Sequence, residues 1–230
     1  GEILVRNGRQ DESTEEEYLA MMGEHQVQLA MKVNFPVLAE ASQNNFTREA
    51  LGLPTDQFLV AVVGNRLEKE INKELIQVMK KILEETQNIS FVMIGSYKEI
   101  KGYFIDEVFD GHVYELGYCF DLIGVYKTLN LFLNPQRSGG GFSGGMALLA
   151  GIPVVTLPEC DVAYNCGEEW VVHDFAEMAE VVTRYANDAE FYNQKVLDAQ
   201  RYGETSVEER LVHYVEKLLE GIYGILEERE

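Results

Sequence analysis

The chain has 230 residues and a formal net charge of −20, with 46% hydrophobic and 25% charged residues. That length suits one large α/β domain or two small ones, and the composition is ordinary for a globular protein. So acidic a surface repels nucleic acid and anionic membranes, which argues against both as partners. To bind an anionic ligand, the protein would need cations at the binding site that overcome its overall negative electrostatic field.

Cysteine and histidine spacing indicates neither disulfides nor a metal site. Cys119, Cys160 and Cys166 are an odd number without regular spacing, and no CxxC pair or metal-spaced histidine pair is present. The first residues are polar and charged, unlike a signal peptide, and no apolar run reaches the roughly 18 residues of a membrane span. We therefore expect a cytoplasmic protein and, since the chain starts at Gly1, a piece of something longer.

Residues 1–47 differ from the rest of the chain and predict an N-terminal helical arm or connector. Ser13 or Thr14 is placed to cap a helix, with a glutamate three residues on to complete a capping box. The predicted helix runs from Glu15 towards Lys32. We expect this arm to precede a single domain formed by the remaining residues, 48–230.

From Phe58 onward, apolar runs alternate with segments of helical periodicity. The runs are continuous, as expected for strands buried on both faces of a parallel sheet. Together they predict an α/β fold with a Rossmann-like open parallel sheet and helices on both faces. Ligands of such sheets bind at the carboxyl ends of the strands, near the topological switch point. The predicted strands are 58–64, 90–95, 112–117, 131–135, 153–157 and 170–172, and the predicted helices are 71–82, 121–129, 175–187 and 211–225.

A glycine-rich stretch, NPQRSGGGFSGGMALLAGIPVVT (134–156), predicts a strand, a loop, a helix and a further strand. Five glycines fall between Gly139 and Gly145. Backbone N–H groups and the helix dipole at such a helix start form a ready site for a phosphate. Each glycine in the first helical turn costs about 1 kcal/mol relative to alanine. Close packing explains one or two glycines, so five indicate that a ligand approaches the backbone.

The same loop matches G-x-G-x-x-G through Gly139, Gly141 and Gly144. Glu159 and Asp161 lie about where the ribose-binding acid of a dinucleotide fold would fall. That motif normally occupies the first strand-to-helix turn of its unit, whereas three predicted strands precede it here. A dinucleotide-dependent oxidoreductase is therefore kept as a lesser alternative.

Two cations follow the first regular strand, in GNRLEKE (64–70). Arg66 offers a planar fork and Lys69 a point charge, and both suit phosphate. The alternative is a solvated helix start with ion pairs from Arg66 to Glu68 and Glu70. A basic side chain at a helix N-terminus opposes the dipole, which favours a ligand. Arg137 is a third cation, for which a ligand contact and an exposed loop charge are equally weighted.

The chain from about Thr47 to its end resembles the C-terminal, nucleotide-sugar-binding domain of bacterial GT-B-fold glycosyltransferases of the group 1 type. The glycine-rich loop is more similar to that of protein O-glycosylating transferases than to the common lipopolysaccharide type. The segments that carry the resemblance occur in family order at 48–70, 90–96, 112–135, 139–157 and 174–194.

That resemblance implies one half of a GT-B fold, which binds a nucleotide-diphosphate sugar, a UDP-sugar, as donor substrate without a cofactor or metal. Arg66 and Lys69 would act as catalytic residues that stabilise the diphosphate leaving group electrostatically. Tyr118 and Phe120 would lie beside the nucleobase. The implied donor-binding set is Asn65, Tyr118, Phe120, Gly139, Gly140, Gly141, Phe142, Ser143, Gly144 and Asp161.

One departure from the family pattern affects the expected activity. Many relatives carry two acids with seven positions between them across the loop, and the matching positions here are Ser138 and Met146. The second acid accepts hydrogen bonds from ribose hydroxyls, which methionine does poorly; Asp161 could substitute. The resemblance also implies a missing N-terminal acceptor domain, so the isolated chain should turn over little. The alternative is a non-catalytic partner subunit with a degenerate donor site, and homo-oligomerisation stays open.

Overall fold

The structure, a computed structural model, describes residues 2–6, 27–32, 36–137 and 140–227. The strands are β1 (Glu2–Arg6), β2 (Val27–Lys32), β3 (Phe58–Val63), β4 (Ile89–Ile94), β5 (Val113–Gly117), β6 (Leu131–Leu133) and β7 (Val154–Val155). The helices are α1 (Leu67–Glu70), α2 (Lys73–Glu85), α3 (Leu122–Tyr126), α4 (Gly141–Leu149), α5 (Asp161–Cys166), α6 (Phe175–Asn187), α7 (Ala189–Glu204) and α8 (Val207–Glu227).

Five strands form an all-parallel sheet in the order β5-β4-β3-β6-β7. The chain runs outward from β3 to β5 and then crosses to the other side of β3 to add β6 and β7. The topological switch point therefore lies between β3 and β6, which are adjacent in the sheet. Ligands are expected in the crevice at the carboxyl ends of these two strands.

The central strands bury side chains on both faces, as the unbroken apolar run predicted. On one face, Val60 and Val62 of β3 pack against an apolar cluster that includes α2 and α6. On the other face, Leu59, Ala61 and Val63 pack against a cluster that includes α3, α4 and α5. Alternate residues of one strand thus serve two helix layers, and the predicted α/β fold with helices on both faces is confirmed.

Most predicted elements match the structure within a few residues. Asp174 caps α6 by accepting from the Glu177 N–H at 2.8 Å, as its position before Phe175 predicted. Asp121 likewise caps α3, although that helix ends at Tyr126 rather than near Leu129. The predicted sixth strand is reduced to one bridge from Thr156 to Val171.

The N-terminal prediction is wrong where it can be compared. Val27–Lys32 forms β2 rather than helix and pairs in parallel with β1, in a two-stranded sheet separate from the central one. The rest of the predicted helix, with its caps Ser13 and Thr14, lies outside the described residues. The prediction rested on capping residues, and local signals of that kind do not reveal that Val27–Lys32 pairs with the distant segment Glu2–Arg6.

The segment that leads into the domain is fixed against α3 and α4. Val37 is buried and packs with Ile123 and Leu149. Arg48 donates from Nε to the Thr128 carbonyl at 2.7 Å, which ties the segment to the turn before β6. The division of the chain at residue 47 remains a prediction. Within the described ranges, no helix is both long enough and apolar enough to cross a membrane.

Candidate functional site

A cleft of about 570 Å³ opens at the carboxyl ends of β3, β4 and β6, at the switch point. Its lining contains charged, aromatic and glycine residues from elements that are distant in sequence. These residues include Gly64, Asn65, Arg66, Glu70, Gly95, Tyr118, Cys119, Phe120, Asp121, Arg137, Gly140, Ser143 and Met146. The position of the cleft agrees with the general rule for open parallel sheets.

The wall that follows β3 carries Asn65 and Arg66. The Asn65 side chain accepts from the Ser96 N–H at 3.1 Å, which joins the β3 and β4 loop ends. Arg66 is 64% exposed, and its Nε lies 3.7 Å from Oε1 of Glu70. Lys69 is exposed on α1 and is not among the residues that line the cleft. The structure thus separates the two cations that the sequence grouped together.

Arg137, on the opposite wall, is almost fully buried. Its side chain is 6% exposed, and Nη1 lies 2.7 Å from Oε2 of Glu70, which is itself 10% exposed. Its Nε donates to Oδ1 of Asn134 at 3.2 Å, and Nη2 reaches Oγ of Ser143 at 3.4 Å. Glu70 therefore lies between the two arginines and binds one on each carboxylate oxygen. The alternative of an exposed loop charge at Arg137 is wrong.

Two glycines, Gly64 directly after β3 and Gly140 at the start of α4, make room for this ion pair. A Cβ at Gly64 would lie 2.5 Å from Nη1 of Arg137, and it would also overlap the Glu70 carboxylate. A Cβ at Gly140 would lie 2.7 Å from Nη2 of Arg137. Gly140 is also the N-cap of α4, with φ 83°, a left-handed conformation that glycine adopts without strain. The Arg137–Glu70 pair is therefore enclosed between backbone segments with no side chains at these points.

The remaining described glycines of the loop are packed against protein. A Cβ at Gly141 would meet Nδ2 of Asn165 at 2.5 Å, and one at Gly144 would meet Cγ1 of Val162 at 2.6 Å. A Cβ at Gly145 would overlap Val37. The argument that packing explains only one or two of the five glycines is therefore wrong. Helix α4 needs them to approach α5 and the segment near Val37.

Two exposed aromatic rings form the wall that follows β5. Tyr118 and Phe120 are 56% and 96% exposed, and they pack edge to face with ring centroids 5.1 Å apart. Cys119 lies between them in sequence, half-buried, and burial raises the pKa of its thiol. Flat apolar rings at the mouth of a cleft offer a stacking surface for a planar base.

The other predicted donor-binding residues are distributed unevenly around the cleft. Ser143 lines it, and its hydroxyl donates to the Gly140 carbonyl at 2.6 Å. Phe142 is exposed, while Gly141 and Gly144 are buried, and the three do not line the cleft. Asp161 begins α5 and is also absent from the lining. Ser138 and Gly139 lie outside the described residues, so their predicted roles have no structural counterpart.

The acids that do line the cleft have protein partners. Asp121 accepts from the Asn44 amide at 2.6 Å, from the Ser42 hydroxyl and from the Gly124 N–H. The Ser42 hydrogen bond is the largest cause that lowers the pKa of Asp121. Met146, at the position for which the resemblance implies a ribose-binding acid, lines the cleft. In the part of the chain that the structure describes, no cluster of three or more His, Cys, Asp or Glu could hold a metal ion.

Sequence reasoning missed Glu70 and Asp121 as cleft residues. Glu70 was considered only as the partner of Arg66 on a solvated helix, and Asp121 only as a helix cap. The sequence signal for Glu70 was its position four residues after Arg66, close to the end of a predicted strand. Its partner Arg137 lies 67 residues away, and neither periodicity nor spacing predicts that contact.

No protein-family model matches the chain, and no curated protein matches it. Several solved structures are similar to the chain. WaaG, a glycosyltransferase involved in lipopolysaccharide biosynthesis, is 16% identical with a TM-score of 0.65 over 92% of this chain and 61% of its own. An O-GlcNAc transferase mutant from Thermobaculum terrenum is 16% identical with a TM-score of 0.68 over 95% of this chain and 44% of its own. The chain has the fold of GT-B glycosyltransferases.

A third structure with the GT-B fold was solved with UDP-glucose bound. HepE of Anabaena, in complex with UDP-glucose, is 15% identical with a TM-score of 0.64 over 95% of this chain and 64% of its own. This chain thus spans between 44% and 64% of these three proteins. At such low identity the comparisons establish the fold, and the function must be argued from the cleft.

Proposed function

We propose that this chain is the donor-binding domain of a glycosyltransferase and binds a UDP-sugar in the cleft between β3 and β6. The observation that carries the proposal is the pair of arginines at the switch point, in a chain whose net charge is −20. Two guanidinium groups on one cleft, against so acidic a surface, favour a compact multiply charged anion such as a diphosphate.

The shape of the cleft supports a nucleotide diphosphate rather than free phosphate. The arginines lie at the strand ends, and the exposed rings of Tyr118 and Phe120 form a separate wall. A base stacked on these rings would leave its diphosphate directed towards Arg66 and the N-terminus of α4. HepE of Anabaena, which shares this fold, was crystallised with UDP and with UDP-glucose.

The proposed chemistry is electrostatic. Transfer of the sugar leaves a nucleoside diphosphate with developing negative charge, and preorganised cations and N–H groups stabilise that charge. Arg66 is the exposed cation and would contact the diphosphate directly. The acceptor and any general base would come from a second domain, which is outside this chain. The transfer is proposed to be of hexosyl type, with little turnover by this chain alone, and to take place in the cytoplasm.

Calorimetric titration of the chain with UDP, GDP, ADP and NAD tests the proposal. We expect tightest binding of UDP, and Arg66→Ala should weaken that binding at least about tenfold, because it removes a charge-assisted contact. Arg201→Ala is the matched control, since Arg201 is an exposed arginine on α7 that does not line the cleft. Equal affinities of the two variants would refute the role of Arg66, and preferred binding of NAD would indicate an oxidoreductase instead.

A second candidate is a non-catalytic partner subunit with a degenerate donor site. Met146 favours it, because it lines the cleft without a carboxylate for ribose hydroxyls, and Asp121 is engaged by Ser42 and Asn44. The variant Met146→Glu discriminates between the two. UDP affinity that is gained only in this variant would identify a decayed site, whereas binding by the unmodified chain supports a functional donor domain.

A further inference from the structure

We propose that Arg137, held in place by Glu70, is the second cation of the diphosphate site. This inference rests on the proposed function and deepens it by naming a residue that sequence reasoning weighed evenly against an exposed loop charge. It also replaces Lys69 in that role, because Lys69 lies exposed on α1 outside the cleft lining.

The first argument is the unused donor capacity of Arg137. Its guanidinium carries five N–H groups. Counting only described residues, the structure gives it three partners, Glu70, Asn134 and Ser143, one on each nitrogen, and the contact with Ser143 is long at 3.4 Å. Two N–H groups thus have no partner among the described residues, and Arg137 lines the cleft.

The second argument is how the guanidinium is fixed. Gly64 and Gly140 leave space on either side of it, and a Cβ at either position would overlap Arg137. Glu70 sets the direction of the fork through the 2.7 Å contact with Nη1. A guanidinium that is already ordered loses little conformational entropy when an anion binds, so the contact is preorganised.

The third argument is charge. Glu70 carries one negative charge, and Arg66 and Arg137 carry one positive charge each, so this cluster is cationic in a protein of net charge −20. Were Arg137 only the counter-ion of Glu70, Arg66 would be the sole cation that the cluster offers a ligand. With both arginines facing the cleft, one lies on each side of the switch point, which suits the two phosphates of a diphosphate.

The test is calorimetric titration with UDP and with inorganic pyrophosphate. The informative variant is the double substitution Glu70→Gln with Arg137→Gln. It leaves the net charge of the cluster unchanged, and it leaves no buried charge without a partner, so the fold should be retained. We expect affinity for both probes to fall at least about tenfold. Arg137→Lys is the second variant; it should also lose affinity, because a single ammonium cannot replace the fork.

The outcomes separate this inference from the proposed function. If the unmodified chain binds both probes and the double variant binds them equally well, Arg137 is a structural residue and the inference is overturned. If the unmodified chain binds pyrophosphate but shows no preference for UDP, and the double variant loses pyrophosphate, the assignment of Arg137 stands while the nucleotide-sugar function fails. Binding of neither probe by the unmodified chain would overturn both.

Discussion

Arg66 and Arg137 reach the same carboxylate from the two sides of the switch point, yet one side chain is 64% exposed and the other 6%. Arg66 follows β3, and its Nε lies 3.7 Å from Oε1 of Glu70. Arg137 follows β6, lies 2.7 Å from Glu70 and is also bound to Asn134. In the proposed diphosphate site, the exposed arginine on one wall would be free to move onto a ligand. The buried arginine on the other wall would have its direction fixed in advance.

The largest expected effect on the free energy of unfolding follows from removing the buried arginine, Arg137. Arg137→Ala leaves Glu70 buried without its closest partner, so the free energy of unfolding should fall by about 3 kcal/mol. Arg66→Ala removes an exposed pair and should change the free energy of unfolding by less than about 1 kcal/mol. Urea unfolding at pH 7 checks both. Equal losses in the two variants would contradict the distinction between a fixed and a free arginine.

A smaller effect should follow from Gly144→Ala on helix α4. The new Cβ would meet Val162 at 2.6 Å and Cys166 at 2.7 Å, so overpacking should outweigh the gain in helix propensity by about 1 kcal/mol. Gly102→Ala is the control, since nothing lies within 4 Å of its added Cβ. Thermal unfolding measures the difference. A loss of UDP affinity without a loss of stability would instead mean that Gly144 is needed for ligand approach, as the sequence suggested.

The aromatic wall provides a chemical test of ligand position. Cys119 is half-buried and lines the cleft, whereas Cys160 and Cys166 are buried and serve as internal controls. Burial raises the pKa of the Cys119 thiol, so its alkylation at pH 8 should be slow. We expect UDP to slow that alkylation several-fold further, measured by mass spectrometry of the intact chain. An unchanged rate at saturating UDP would place the nucleotide away from this wall.

The smallest expected effect concerns Asp121 and its dependence on pH. The folded-state pKa of Asp121 is lowered, chiefly by the Ser42 hydrogen bond. Its contribution to stability is therefore fully present above the unfolded pKa of about 3.9 and is lost as pH falls through the lower folded value. Asp121→Asn should lower the melting temperature at pH 7, and the difference from the unmodified chain should shrink as pH falls below about 3.9. A difference that stays constant from pH 7 to below about pH 3.9 would show that the charge of Asp121 does not contribute to stability.

The elements that could be predicted from sequence are those that local physics determines. Phe58–Val63 is a continuous apolar run, and such a run is typical of a strand that is buried on both faces of a parallel sheet. Asp174 precedes a run of helical periodicity, and a side-chain oxygen at that point satisfies the first N–H groups of the helix. Arg66 was predicted to face the crevice because it closely follows a strand end, and it does line the cleft, while its role in binding remains a prediction.

The features that escaped prediction depend on contacts between distant segments. Glu70 and Arg137 are 67 residues apart, and only the order of strands in the sheet brings them together. The glycines of α4 were attributed to a ligand because their true neighbours, such as Val37 and Val162, come from other segments. The pairing of β1 with β2 was missed for the same reason.

The central claim is that a nucleotide diphosphate binds between Arg66 and Arg137. A crystal structure of the chain with UDP tests it most directly. We expect the diphosphate oxygens within hydrogen-bond distance of both guanidinium groups, with uracil against Tyr118 or Phe120, while the contact from Glu70 to Arg137 is retained. UDP bound elsewhere on the chain, or a cleft that stays empty at saturating UDP, would contradict the claim.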